Sequence, residues 1–129
     1  RLWLKLAANA VLNPLTALWD VPNGEVLNRA EGRETALVVC DEIAGVAARM
    51  HEGSGAVPCT AVELRMFVGE CAAANAANWS SMHQDVKFGR RTEIDHLNGW
   101  IVERGASLGL PCAANAELTA RILERTSAK

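Results

Sequence analysis

The sequence of 129 residues predicts an all-α protein. Half of the residues are hydrophobic and alanine supplies 22 of them, whereas aromatic residues are only 5% and tyrosine is absent. Alanine favours helices and is depleted in strands. Apolar residues recur at helical spacing through most of the chain, and no segment alternates as a half-buried strand would. We therefore expect a single domain of six or seven helices around one core.

The first predicted helix runs from Leu2 to about Trp19. Pro14 lies inside it and should kink it, because the proline ring removes one backbone hydrogen bond and crowds the preceding turn. The segment VPNG at 21–24 predicts a turn, and a short helix is expected near 25–29.

Residues 33–52 predict a strongly amphipathic helix, and the glycine-rich segment 53–58 ends it. Its apolar side chains recur three or four residues apart, so they should share one buried face. These side chains are Leu37, Cys40, Ile43, Ala44 and Ala47. Thr60 then resembles a helix N-cap with Glu63 as its capping-box partner, and that helix should run to about Asn75.

The second half of the chain contains three more predicted helix starts. Ser81, with Gln84 three residues later, indicates the first of them. Thr92 indicates the second, in a helix that Gly109 should terminate. Asn115 is expected to cap the last helix, which runs to about Ser127.

A polar stripe crosses the first helix. Lys5, Asn9 and Asn13 are spaced four residues apart, so they share one face of an otherwise apolar segment. Lysine at a helix edge commonly extends into solvent, and Asn13 could simply bond the carbonyl that Pro14 leaves free. Two asparagines inside an apolar helix are nevertheless costly unless each has a partner. The stripe is therefore either an exposed edge or the wall of a polar pocket.

Two further candidates lie at predicted helix starts. A plain N-cap explains Ser81, although a hydroxyl beside free backbone N–H groups also suits a carboxylate ligand. Glu93 follows Thr92 in a first helical turn, where the helix dipole favours any acidic residue.

Composition excludes several functional classes. The net charge of −2 and pI near 5.9 leave no basic patch for nucleic acid, and no apolar run is long enough to span a membrane. The histidines have no ligand spacing, so no metal site is expected. The cysteines form no CxxC pair and lie in apolar surroundings, which predicts thiols in a reducing cytoplasm: Cys40, Cys59, Cys71 and Cys112.

Three segments carry a family resemblance: KLAANAVLNPLTALWDVPNG at 5–24, NWSSMHQDVKFGRRTEIDHLNGWIVERG at 78–105, and NAELTARIL at 115–123. In this order they resemble the C-terminal domain of ketopantoate reductase (2-dehydropantoate 2-reductase). The resemblance implies a helical domain similar to that of 6-phosphogluconate dehydrogenase. It also implies an NADPH-dependent reduction of 2-dehydropantoate to (R)-pantoate, on the route to pantothenate and coenzyme A.

The same resemblance implies roles for individual residues. Lys5 matches the family's proton donor, and Glu93 matches a glutamate that contacts the cofactor and is important for catalysis. The remaining matches imply substrate-binding residues: Asn9, Asn13, Asn23, Asn78, Ser81, Met82, His83 and Gln84. The chemistry suits these residue types, because an ammonium both stabilises a developing oxyanion and supplies a proton.

The chain departs from the family in lacking a G-x-G-x-x-G motif. Its closest glycine pair, Gly53 and Gly55, is followed by Pro58 and comes after a helix rather than a strand. Ala113 stands where the family often has proline, a change that concerns a turn more than the site. The chain also begins at Arg1 without methionine, and we expect it to be a piece of a longer protein whose N-terminal Rossmann domain binds NADPH. The isolated chain should then be inactive.

Two alternatives remain open on the sequence. The first is a related NAD(P)-dependent reductase acting on another oxo acid. The second is a non-catalytic helical dimerisation module in which the polar stripe is purely structural. The oligomeric state, including a homodimer, is left open. An upstream segment that begins strand–GxGxxG–helix would favour the enzyme.

Overall fold

A computed structural model describes residues 2–127 as helices joined by short connections, and the all-α prediction is confirmed. No strand occurs within this range. The helices are α1 Leu2–Trp19, α2 Asn23–Val26, α3 Ala30–Met50, α4 Ala61–Ala74, α5 Ser81–Lys87, α6 Asn98–Ser107 and α7 Ala113–Ser127, with a 3-10 helix at Ile94–His96 before α6. None of these helices is both long and apolar enough to cross a bilayer.

Helix α1 lies at the centre of the fold and packs against α3, α4, α5 and α7. Its buried face is rich in alanine, which lets neighbouring helices approach closely. Larger core side chains from the surrounding helices fill the remaining space. The fully buried ones include Val39, Ile43, Val46, Leu64, Val68, Ile101 and Ile122.

Pro14 does not end α1, because a side chain replaces the hydrogen bond that the proline removes. A proline at position 14 leaves the carbonyl of Ala10 without its helical donor. The buried amide of Asn98 supplies one, with Nδ2 3.0 Å from the Ala10 oxygen. The expectation that Asn13 bonds this carbonyl is therefore wrong. The donor is Asn98, which lies 88 positions away from Ala10 in the chain.

The Asn98 amide belongs to a buried network that joins four helices. Its Nδ2 also donates to Asn115 Oδ1 at 2.9 Å, and Asn115 Nδ2 donates to the Glu42 carboxylate at 2.8 Å. Because both of its acceptors face Nδ2, the orientation of the Asn98 amide is fixed. Asn98 Oδ1 is left without a hydrogen-bond partner among residues 2–127.

The start of α7 differs from the prediction. Asn115 was expected to be its N-cap but lies buried inside the helix. The capping acceptor is instead Glu42 of α3, which accepts the backbone N–H groups of Ala114 at 2.9 Å and Asn115 at 3.0 Å. A carboxylate at a helix N-terminus satisfies unpaired donors and complements the helix dipole.

Two other predicted starts also shift. The N-cap of α5 is Ser80, whose hydroxyl accepts the His83 N–H at 3.0 Å, so the prediction of Ser81 is wrong by one residue. Thr92 Oγ1 accepts the Ile94 N–H at 3.2 Å, so it lies beside the 3-10 helix and not at the start of α6. Helix α6 starts at Asn98.

Other sequence predictions are confirmed. Thr60 and Glu63 form the capping box of α4, with reciprocal bonds of 2.8 and 3.1 Å. Gly109, with φ of +75°, follows the end of α6. All four cysteines are thiols rather than disulfides, and burial raises the pKa of the Cys40 thiol to about 12.

The junction of α2 and α3 leaves no room for a side chain at Gly32, a residue that lies before the predicted start of α3. Helix α3 begins at Ala30, three residues before the predicted start, and contains Gly32 in its first turn. A Cβ on Gly32 would lie 1.8 Å from the carbonyl oxygen of Val26. Leu37 was expected on the core face of α3, but it is 45% exposed. Ala36 and Val39 are buried there instead.

Gly32→Ala should destabilise the protein by roughly 2 kcal/mol or more, because backbone must move to admit the methyl group. Gly45, in the same helix, is the matched control, since no atom lies within 4 Å of its Cβ position. Gly45→Ala should stabilise the protein by about 0.5–1 kcal/mol through helix propensity. Urea unfolding of both variants measures the contrast, and equal effects would contradict the close contact.

Asn98→Ala should destabilise the protein by on the order of 1–3 kcal/mol for each buried acceptor left without a donor. Pro14→Ala restores a backbone N–H that can bond the Ala10 carbonyl. In the Pro14→Ala background, Asn98→Ala should therefore lower the free energy of unfolding by about 1 kcal/mol less than it does in the wild type. A double-mutant cycle by denaturant unfolding measures this coupling. Strictly additive losses would show that Asn98 does not compensate for Pro14.

Candidate active site

The polar stripe of α1 faces away from the core. Lys5 and Asn9 are exposed and Asn13 is half-buried, whereas neighbouring Ala8 and Ala10 are buried. The three polar side chains make no hydrogen bond or ion pair with another residue in 2–127. The cation and the two amides are therefore available to a ligand.

The first turn of α5 is fixed beside the C-terminal end of this stripe. Thr16 lies one turn after Asn13, and its buried hydroxyl is 2.6 Å from the hydroxyl of Ser80. Thr16 Oγ1 donates to the Asn13 carbonyl at 2.9 Å, so the Ser80 hydroxyl is the donor in the Thr16 contact. Ser81, the next residue, is exposed.

The turn after α1 brings two predicted substrate residues together. The Asn23 N–H donates to the Asn78 carbonyl at 3.0 Å. Both side-chain amides also donate to Asn75. Asn23 Nδ2 donates to the Asn75 backbone carbonyl at 3.3 Å, and Asn78 Nδ2 donates to the Asn75 side-chain Oδ1 at 3.4 Å. Each side chain is at least partly exposed, so its remaining donor and acceptor capacity can face a ligand.

The residues after Ser81 are placed differently from one another. The side chain of Met82 lies in the core at 2% exposure, so only its backbone can reach a ligand. His83 is also buried, with Nε2 2.6 Å from Asp20 Oδ1. Gln84 is half-buried, and its Nε2 lies 3.5 Å from His83 Nδ1.

Glu93 is separated in the chain from the other predicted residues. It directly precedes the 3-10 helix, and its carboxylate is exposed. That carboxylate makes no hydrogen bond or ion pair to a residue in the described range. Within the same range, no cluster of three or more His, Cys, Asp or Glu side chains is arranged to hold a metal ion.

Comparison with known proteins identifies the family of this chain. The family described as "Ketopantoate reductase PanE/ApbA C terminal" matches residues 1–125. The chain belongs to the ketopantoate reductase family, as its C-terminal domain. The family resemblance of the sequence is thereby confirmed.

Individual members of the family extend the comparison. The 2-dehydropantoate 2-reductase of Shigella flexneri is 38% identical over 126 residues, which is 98% of this chain and 39% of that protein. The chain thus spans about two fifths of the length of this curated relative. The crystal structure of a PanE/ApbA family ketopantoate reductase from Ralstonia eutropha JMP134 aligns with a TM-score of 0.85 at 32% identity, covering 98% of this chain and 40% of that one.

The same helical fold occurs in a protein that is named for another substrate. A D-mandelate dehydrogenase, solved with NADH and anilino(oxo)acetate, aligns with a TM-score of 0.88 at 24% identity. The alignment covers 98% of this chain and 67% of that chain. At this identity the similarity is one of fold.

Asn9→Leu and Asn13→Leu should each change the free energy of unfolding by less than about 0.5 kcal/mol, because neither amide has a partner in the part of the chain that the structure describes. Asn115→Leu is the buried control and should cost on the order of 1–3 kcal/mol for each group left unpaired. Denaturant unfolding measures all three variants. Large losses at positions 9 and 13 would make the stripe structural.

Proposed function

We propose that this chain is the substrate-binding and proton-donating domain of an NADPH-dependent 2-dehydropantoate 2-reductase, a cytoplasmic enzyme that forms (R)-pantoate for pantothenate and coenzyme A synthesis. The observation that carries the proposal is the stripe of Lys5, Asn9 and Asn13, unpaired within residues 2–127, on a helix whose other side lies in the core. A stripe without internal partners gives the fold no stability, and it has the donors that an oxo acid needs.

Lys5 is the proposed proton donor. Reduction of the ketone places negative charge on its oxygen, and the nicotinamide supplies the hydride when bound. The Lys5 ammonium stabilises that charge and transfers a proton to the oxygen, so that an alcohol forms. Lys5 is exposed and has no acidic partner among residues 2–127, which leaves all three N–H donors available for this role.

The asparagines and Ser81 hold the substrate in this proposal. Asn9 and Asn13 follow Lys5 along the same face and can bond the carbonyl and hydroxyl groups without titrating. The exposed Ser81 hydroxyl, with the backbone N–H of Met82, is the proposed contact for the carboxylate. Asn23 and Asn78, joined at the adjoining turn, border the same site.

NADPH binding is proposed to fall mainly to an N-terminal Rossmann domain. The chain lacks a glycine-rich phosphate cradle of its own, and its relatives are much longer than it is. The carboxylate of Glu93, exposed and unpaired within residues 2–127, fits a hydrogen-bond acceptor for a cofactor hydroxyl. Lys5 and Asn9 then line the cleft between the two domains.

A second candidate is a reductase of another 2-oxo acid. The observation that favours it is the shared fold of the D-mandelate dehydrogenase, whose solved complex contains an anilino(oxo)acetate. NADPH and NADH oxidation by the complete protein against a panel of 2-oxo acids separates the two candidates. A preference for 2-dehydropantoate supports the first, a preference for an aryl or smaller oxo acid supports the second, and no oxidation supports a non-catalytic module.

In the complete protein, Lys5→Ala should lower kcat by about 10²–10⁴-fold, the usual contribution of general acid catalysis. Lys5→Arg keeps the positive charge but retains its proton, so it should recover only part of the loss. Lys87→Ala, at an exposed lysine of α5, is the control and should leave kcat within about twofold. Steady-state NADPH oxidation gives these values.

An unchanged kcat in Lys5→Ala would remove this residue from the mechanism. The isolated 129-residue chain should show no NADPH oxidation above buffer, because it lacks a pyrophosphate site. Turnover by that chain alone would contradict the proposed division of labour between two domains.

A further inference from the structure

His83 has little of its surface left for a ligand. The residue is 5% exposed, and the Trp79 ring covers it with a centroid separation of 4.4 Å. Its Nε2 is 2.6 Å from Asp20 Oδ1, and its Nδ1 is 3.5 Å from Gln84 Nε2. Both ring nitrogens therefore face groups of the protein itself.

Asp20, the partner of His83, has an unusual backbone conformation. It directly follows α1 with a φ of +55°, in the left-handed region that few residues other than glycine adopt. Aspartate and asparagine tolerate this region better than most side chains. The carboxylate is 84% exposed, and its Oδ1 accepts from the buried imidazole.

The Asp20–His83 contact is one of two side-chain hydrogen bonds within residues 2–127 that join the C-terminal end of α1 and the residue after it to the start of α5. The other is the hydroxyl pair of Thr16 and Ser80, one helical turn earlier in α1. Thr16 of α1 and Asp20, just after α1, thus hold Ser80 and His83, and Ser81 lies exposed between these two anchored residues. Such an arrangement fixes the orientation of Ser81 without involving its own hydroxyl.

We propose that Asp20 and His83 form a clasp that positions Ser81 for the substrate carboxylate. His83 is a positioning residue whose side chain does not touch the substrate. The proposal rests on the proposed role of Ser81 in substrate binding, and it adds Asp20, which no sequence motif indicated.

The chemistry of the pair favours positioning over proton transfer. A carboxylate only accepts, so His83 Nε2 carries a proton whether the imidazole is neutral or charged. The bond therefore persists in both protonation states of the ring. Asparagine at position 20 would supply the same Oδ1 acceptor and tolerate the same φ, whereas glycine would tolerate the φ and supply no acceptor.

The test compares three variants in the complete protein. Asp20→Gly and His83→Leu should each raise KM for the oxo acid by on the order of tenfold, with kcat changed much less, because the carboxylate is bound in both ground and transition states. Asp20→Asn should keep KM within about twofold of wild type. An unchanged KM in Asp20→Gly, or a selective loss of kcat, would show that the pair does not position Ser81 for the substrate carboxylate.

Hydrogen exchange without substrate gives a readout that does not depend on catalysis. Asp20→Gly and His83→Leu should speed exchange of the backbone amides of 81–84 relative to those of α4, and Asp20→Asn should not. Unchanged exchange in Asp20→Gly overturns the clasp itself. Faster exchange with unchanged KM shows instead that the proposed role of Ser81 is wrong. Because Asp20 is exposed, the glycine variant stays informative even if His83→Leu fails to fold.

Discussion

The carbonyl of Ala10 has no helical donor because of Pro14, and the amide of Asn98 supplies one. Since α1 is the central helix, this bond keeps it continuous where a proline would otherwise interrupt it. The same amide leads through Asn115 to Glu42, which caps α7. One unfilled backbone acceptor thus ties α1, α3, α6 and α7 to a common arrangement.

The continuity of α1 lets one helix carry both the core and the candidate site. Its alanine-rich side packs against the surrounding helices, while Lys5, Asn9 and Asn13 remain on its open face. Residues before and after Pro14 therefore stay in register along a single line. The bond between Thr16 and Ser80 holds the start of α5, more than 60 positions later in the chain, beside the end of this line.

Local patterns in the sequence were sufficient for the fold class, for the capping box of α4 and for the exposed polar stripe. These features depend on residues within one helix, and periodicity records them directly. The starts of α5, α6 and α7 were misplaced because the decisive partner lies elsewhere in the fold. Ser80 rather than Ser81 caps α5 since its hydroxyl also meets Thr16, and Glu42 caps α7 from another helix. Asp20 left no local signal, because its contact depends on the packing of α5 against α1.

Two adjacent serines at the start of α5, Ser80 and Ser81, differ in their hydrogen bonding. Ser80 sits in a one-way chain of donors that runs from the His83 N–H through Thr16 to the Asn13 carbonyl, so its hydroxyl is bound on both sides. Ser81 takes part in none of these bonds. The side chain at position 81 can therefore change without breaking any of these bonds, whereas a change at position 80 breaks the bonds on both sides. A single peptide bond thus separates a hydroxyl that takes no part in the described contacts from one that the fold uses twice.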